Sequence, residues 1–425
     1  MKTTQDEPKG LIKKIKGEFS FIGGNYLLLL IGSLITDFSG EMAGTYFPLY
    51  FKALGGTATT LGLINSLFSV TSAIVRFPGG YIADKYGRKT ILWSMTMLTG
   101  FAYLFYVFAP SWEYIIVGVA LRGFASIYMP AYTALTMDSV PSEKRGTGFS
   151  IIHMITSAST TPSPLIAGFL YTTYGLMTGT RISYTVVVIS FIIAALIRSR
   201  ITETIENAET INKSEIIKSF TGATIFTEGL KVWQIVPRTV QALLGIQIIF
   251  NIFNAMFNVV FIYYLIDELM INPENLAVLF TVVSLSVILL AIPCGRLVDK
   301  YGKRKSMLFA YVLMAAAMPL LIWGDYYRIL ILAPIIALIN IIYSASVSSL
   351  YADLVPIEHR GKISGSSSFI LLLVGSIGQI AGGYLYDNVS HILPLNLFWA
   401  STIPVFLLTF LFIKNPQINE IKSQD

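Results

Sequence analysis

Apolar residues run through this chain in long, nearly unbroken blocks, such as 26–31, 182–197 and 398–413. A helix crossing a bilayer needs about 20 mostly apolar residues, and windows of that length recur from end to end. Only 13% of the 425 residues are charged, against about 25% in a soluble domain, so the usual wetted surface cannot be built. The apolar residues do not alternate, which excludes the strands of a membrane β-barrel. The chain reads as an all-α polytopic membrane protein.

Polar breaks divide it into twelve spans: 22–51, 59–83, 90–109, 113–137, 148–171, 180–198, 239–266, 274–298, 306–324, 327–352, 363–386 and 392–413. The Lys-rich segment 1–21 is expected to be a tail without a cleavable signal peptide, because the first apolar block is too long for a signal h-region. With the N-terminus inside, 25 of the 30 Lys and Arg fall on inner segments or span ends. Lys52, Arg181 and Arg328 fall outside, and Arg76 and Arg122 lie within spans. That asymmetry sets both termini in the cytoplasm and the chain in the cytoplasmic (plasma) membrane. The net charge of +6 is thus a topology signal, and nucleic acid is not expected as a partner. The polar stretch 199–238 reads as a linker between six-span bundles at 22–198 and 239–413, with a second tail at 414–425.

The halves are copies. A shift of 215 places Pro78, Gly80, Asp84, Lys85, Tyr86 and Gly87 on Pro293, Gly295, Asp299, Lys300, Tyr301 and Gly302. It also places Leu135, Asp138, Val140, Pro141, Glu143, Arg145 and Gly146 on Leu350, Asp353, Val355, Pro356, Glu358, Arg360 and Gly361. Two 12-residue windows thus hold six and seven identities, where chance gives roughly one each. Six is even, so both copies enter from one face, as in carriers that bind substrate where parallel repeats meet.

Gly80-x-x-x-Asp84-Lys85-x-Gly87-Arg88-Lys89 resembles the loop 2–3 signature of the major facilitator superfamily, and Gly295-x-x-x-Asp299-Lys300-x-Gly302-Lys303-Arg304-Lys305 is its echo in loop 8–9. The resemblance implies two pseudo-symmetric six-helix bundles, with spans 1, 4, 7 and 10 lining a cavity and spans 2, 5, 8 and 11 between the bundles. It also implies a gating latch in which Asp84 faces the start of span 11 and Asp299 the start of span 5. Arg88, Arg145 and Arg360 are the candidate partners of Asp84, Asp138 and Asp353, with Arg304 in the same basic run. An anion at a helix N-terminus is worth up to about 2 kcal/mol when partly buried.

Ionisable residues at membrane depth are functional candidates by default. Span 1 carries Asp37 and Glu41, whose i,i+4 spacing sets both carboxylates on one face about 6 Å apart along the axis. Span 4 carries Arg122, where proton-coupled members of the family place a span 4 arginine. Two acids and one guanidinium leave one negative charge over, a site able to exchange a proton for a substrate. The competing reading is an ion triad locking span 1 to span 4. Arg76 reads as a snorkelling or gate residue, His153 as a polar interface residue and Cys294 as packing.

Span 7 carries Gln247, Asn251, Asn254 and Asn258, a stripe spaced 4, 3 and 4 that cannot face lipid cheaply. These amides either bind neighbouring helices or line the cavity, and the resemblance favours lining. Asn340, Tyr343 and Gln379 join them as cavity candidates. An ionised half facing a neutral, polar one suits proton-coupled efflux of small amphiphilic or drug-like compounds. In family antiporters span 5 carries Gly-Pro-x-x-Gly-Gly, whereas here it reads Ser163-Pro164-Leu165-Ile166-Ala167-Gly168. The alternatives are a proton-coupled importer or facilitator of an organic anion, sugar or other metabolite, and a non-transporting sensor or scaffold. One cysteine and three scattered histidines offer no metal centre, and no nucleophile–base set or nucleotide loop marks an enzyme. No cofactor is expected beyond a proton gradient. The expected partners are a small molecule, protons and the bilayer, for a monomer.

Overall fold

The computed structural model describes residues 22–141, 144–205, 233, 236–355 and 357–413, excepting the side chains at 77, 145–147, 149–150, 153 and 357–361. Both tails and most of the linker therefore lie outside the described residues, as do the side chains of Arg145, Arg360 and His153. Among the described residues every regular element is helical. The first half holds α1 (Gly24–Thr45), α2 (Phe47–Ala53), α3 (Ala58–Tyr86), α4 (Arg88–Val107), α5 (Trp112–Ala125), α6 (Tyr128–Asp138), α7 (Arg145–Thr160) and α8 (Ser163–Arg198). The second holds α9 (Arg238–Asp267), α10 (Pro273–Tyr301), α11 (Lys303–Ile322), α12 (Tyr326–Leu354), α13 (Ile357–Asn388) and α14 (Leu393–Phe412).

The sequence sets the ends of these helices. A capping box at Thr57, reciprocal with Thr60, starts α3, and the Asp325 carboxylate caps α12 by accepting from the Arg328 N–H. α3 and α10 stop at Gly87 and Gly302, with φ of 98° and 87°. That region disfavours a side chain, which is the geometric reason for glycine at both copies of the turn. Span 1 divides at Tyr46 into α1 and α2, and span 4 divides at Ser126–Ile127 into α5 and α6.

Eleven described stretches are long and apolar enough to cross a membrane. The longest, Met154–Arg198, has 45 residues, about twice the length one crossing needs. It contains the non-helical Gly175, and a Cβ on Gly179 would lie 2.6 Å from the carbonyl oxygen of Leu170. Residues nine apart in a straight helix stand about 13 Å apart, so the chain turns back on itself here. The two arms occupy the places of spans 5 and 6, and the whole accommodates the twelve passes read from the sequence.

Within the first half α8 packs on α1 and α4; within the second, α12 packs on α10 and α11, and α9 on α13 and α14. Between halves the dominant seam is α3 against α13, joined by α10 against α7 and α8. These are spans 2 with 11 and 5 with 8, as the resemblance implied.

The seam closes at the end opposite the basic loops. Lys52 pairs with Asp267 at 2.7 Å, and Tyr46 donates to the Pro273 carbonyl at 3.1 Å. Asp387, at the end of α13, accepts from both the N–H and the hydroxyl of Thr59 at 2.7 Å, so it caps the N-terminus of α3 from the other half. Met42, Tyr46 and Leu49 join Leu265, Ile271 and Leu276 in one buried cluster there. At the basic end, the described ion pairs stay within a half: Asp84–Arg88 at 2.7 Å, Arg88–Asp138, and Lys303–Asp353.

Candidate functional site

Three chambers run through the bundle. The first, about 220 Å³, lies within the first half among Gly40, Gly44, Asn65, Phe68, Tyr103, Tyr106, Arg122 and Tyr184. The second, about 480 Å³, lies between the halves, where Asn65, Ser69 and Arg76 of α3 face Asn251, Asn254 and Asn258 of α9 and Ser368, Gly375 and Gln379 of α13. The third, about 430 Å³, is an aromatic pocket of the second half around Phe250, Phe257, Phe261, Phe280 and Phe398, with Asn340 on its wall. Asn65 lines the first and second chambers, and Asn254 and Asn258 line the second and third. Neighbouring chambers thus share wall residues, and their linings change from polar to aromatic toward the second half.

The expected triad does not assemble. Arg122 forms no ion pair among the described residues. Its Nη1 donates to the Tyr106 hydroxyl at 2.9 Å, and its guanidinium carbon lies 4.4 Å from the Tyr103 ring centre and 5.3 Å from that of Phe68. Ring faces and one hydroxyl replace water around this cation. Asp37 instead accepts a hydrogen bond from Thr156 of α7 at 3.2 Å. Helical phase explains the separation: Asp37 turns toward span 5, while Arg122 points into the aromatic cluster of spans 2, 3 and 6. Glu41 is exposed, and its carboxylate has neither a hydrogen bond nor an ion pair among the described residues. It stands between Gly40 and Gly44, which line the first chamber, and Met42, which packs against the second half.

Arg198 was not singled out by the sequence and is only 2% exposed. It donates to Thr96 at 2.7 Å, lies 5.6 Å from the Tyr132 ring and runs against Gly32 of α1, where a Cβ would sit 3.0 Å from its Nε. Tyr132 in turn accepts from Ser33 at 2.8 Å. A span-end arginine reads as a snorkelling anchor, and no local pattern betrays that a glycine on another helix admits it to the core.

Of the amide stripe, Asn251, Asn254 and Asn258 line the central chamber, while Gln247 accepts from the Tyr351 hydroxyl at 2.7 Å and ties span 7 to span 10. Gln379 lines the chamber and accepts from Ser69 across the seam at 3.1 Å. Asn340 lines the aromatic pocket. Tyr343 packs instead in the core against Phe250 and Tyr311, with centroids 4.9 and 5.9 Å away. Asn65, Ser69 and Arg76 were missed as a set. Their spacing of 4 and 7 puts them on one face of α3, the same signal that exposed the stripe on span 7.

In the gating loops, Arg88 bridges Asp84 and Asp138, so one guanidinium serves both acids expected to have separate partners. In the second copy Lys303 holds Asp353, whose expected partner Arg360 lies outside the described side chains; Arg304 donates to the Phe410 carbonyl and lies over its ring. The repeat accounts for this, since a shift of 215 carries Arg88 onto Lys303. Asp299 is exposed beside Lys303, Gly295 has open space beside it, and Gly80 stands near Pro130 of α6.

The model of the Major Facilitator Superfamily matches residues 29–254 and 243–424. Among curated proteins, the Na(+), Li(+), K(+)/H(+) antiporter of Planococcus maritimus is 31% identical over 192 residues, 43% of each chain. That match spans less than half the relative's length. The multi-drug resistance efflux pump PmrA homolog of Lactococcus lactis is 22% identical over 376 residues, covering 86% of this chain and 89% of that one. Among solved structures, the nucleoside transporter NupG superposes with a TM-score of 0.69 at 14% identity, over 92% of this chain and all of that one. The human organic anion transporter MFSD10 does so with a TM-score of 0.66 at 14% identity, over 91% and 98%. These likenesses show the fold. With its repeat, its doubled loop signature and a family match over nearly the whole length, this chain is a multi-pass membrane transporter, and no enzyme, belonging to the Major Facilitator Superfamily.

Proposed function

We propose that the protein exports small amphiphilic compounds in exchange for protons, with both termini in the cytoplasm and Glu41 as the proton carrier. The observation that carries this reading is the isolation of Glu41: a carboxylate at membrane depth without a described partner, beside a chamber whose one cation is held by aromatic rings. An uncompensated charge there costs several kcal/mol unless a proton or a bound guest offsets it. Proton and guest therefore compete, which is the thermodynamic requirement for exchange. Arg122 is the positioning residue, its charge shaping the field of the first chamber, and Asn65 joins that chamber to the substrate path. The names of the pump-like relatives agree with this direction.

The contacts between halves at the end opposite the basic loops support an inward-open reading. The central chamber receives solute from the cytoplasm, and outward opening requires the contacts of Lys52, Asp387 and Tyr46 to part. The caged position of Arg122 speaks against the importer reading in which it clamps a substrate carboxylate. Exchange of alkali cations for protons, suggested by the antiporter relative, draws support from the hydroxyl of Thr156 on Asp37. Liposomes containing the full chain, given an imposed pH gradient, separate the two. Lipophilic dyes should accumulate on the acidic side, against the flow of protons, whereas gradient dissipation by sodium or potassium alone, with no dye flux, would favour alkali exchange.

A further inference from the structure

The central chamber holds a single charged side chain in its wall. Arg76 of α3 faces it with neutral partners around it, Asn251, Asn254, Asn258, Ser69 and Gln379. Its Nε is buried without a hydrogen-bond partner, and none of the described hydrogen bonds or ion pairs engages its guanidinium. A guanidinium presents several donors in a fixed plane, and a buried donor such as this Nε carries its desolvation cost when left unpaired. Rings lie against Arg122 and Arg198, whereas none of the described ring contacts involves Arg76. The side chain is thus held ready for an acceptor that arrives from outside the protein.

The shape of the path says what kind of molecule brings it. The amides of Asn254 and Asn258 face both the central chamber and the aromatic pocket, so a guest bound at Arg76 can extend past them among Phe250, Phe257 and Phe261. We infer that Arg76 is the anchor for a carboxylate on the transported amphiphile, whose apolar body lies in the aromatic pocket of the second half. The preferred substrate is then zwitterionic or anionic, carrying one carboxylate on a flat apolar frame, and a purely cationic amphiphile is disfavoured. Arg76 is a specificity residue for the path proposed above, and the inference rests on that reading. A planar guanidinium pairs with a carboxylate through two parallel hydrogen bonds, which lysine cannot reproduce.

Rhodamine B and its ethyl ester test this, since they share one ring frame and differ in the free carboxylate. Binding to the purified full chain in lipid-depleted detergent is read by fluorescence anisotropy, for the parent protein, Arg76→Gln and Arg76→Lys. The parent is expected to prefer the acid over the ester on the order of tenfold, the scale of a charge-assisted hydrogen bond. That ratio should fall to about one in Arg76→Gln and recover in part in Arg76→Lys. An acid-to-ester ratio near one in the parent, or unchanged in Arg76→Gln, overturns the inference. Loss of acid binding by the parent when phosphatidylglycerol is added would assign the guanidinium to a lipid headgroup and overturn it as well. Because binding is read without a gradient, the result is separate from the flux measurement: selective binding without proton-linked flux contradicts the exporter and leaves the anchor standing.

Discussion

At the scale of single residues, the charges at membrane depth fall into two kinds. Arg122 and Arg198 are enclosed by aromatic rings and single hydroxyls, whereas Glu41 and Arg76 have no described partner. The enclosed pair should behave structurally. Tyr106→Phe removes the hydroxyl that Arg122 donates to and leaves a buried donor unpaired, a cost of about 1–3 kcal/mol. The expected result is a lower thermal midpoint in detergent, read by intrinsic fluorescence; an unchanged midpoint would mean the cage alone holds the cation. What the sequence made legible was residue type: Asp37, Glu41 and Arg122 stand out as charges inside apolar blocks. Which neighbour each would face was not legible. Helical phase fixes the face of a residue, but the helix opposite depends on tertiary packing, so the triad was expected where Thr156 and Tyr106 supply the contacts instead.

At the scale of elements, α3 and α13 determine how the halves meet. Their outer ends approach so closely that a Cβ on Gly62 would lie 2.3 Å from the Gln379 carbonyl oxygen, and one on Gly383 would lie 2.1 Å from that of Ala58. No side chain fits at these positions while the seam is shut. Gly62→Val should therefore wedge the outer end apart and shift the population toward outward opening. Labelling of an introduced cysteine at Leu61 by an impermeant maleimide checks this: reactivity should rise in the variant, and equal protection would show that the seam yields elsewhere. Helix limits were largely readable here, because Thr57, Gly87, Gly302 and Asp325 are local signals. The break in span 4 at Ser126–Ile127 was not legible, since neither residue is a Gly or Pro. The reversal at Gly175 falls within the polar gap left between spans 5 and 6.

At the scale of the whole molecule, duplication builds two similar lobes, and the difference between their ends stores the conformational choice. Outer contacts run between lobes; the described basic-end pairs run within them. Lys52–Asp267 is partly exposed and by itself worth about 1 kcal/mol or less, yet that is enough to bias two states of similar energy. Lys52→Glu should favour outward opening, and the double reversal Lys52→Glu with Asp267→Lys should restore the balance. Distances between spin labels across the outer end, at Thr57 and Asn388, measure it; failure of the second change to reverse the first would remove the pair from the gate. The repeat itself was the most legible property of the chain, since thirteen loop identities at one offset imply both the symmetry and the turns.

The account as a whole turns on Glu41 coupling protons to solute. Liposomes holding the full chain and a luminal pH dye measure this when a transported amphiphile is added on one side. The parent protein should move protons against the amphiphile, while Glu41→Gln should still exchange labelled for unlabelled amphiphile across the membrane and move no protons. Amphiphile-driven proton movement that persists in Glu41→Gln would contradict the account.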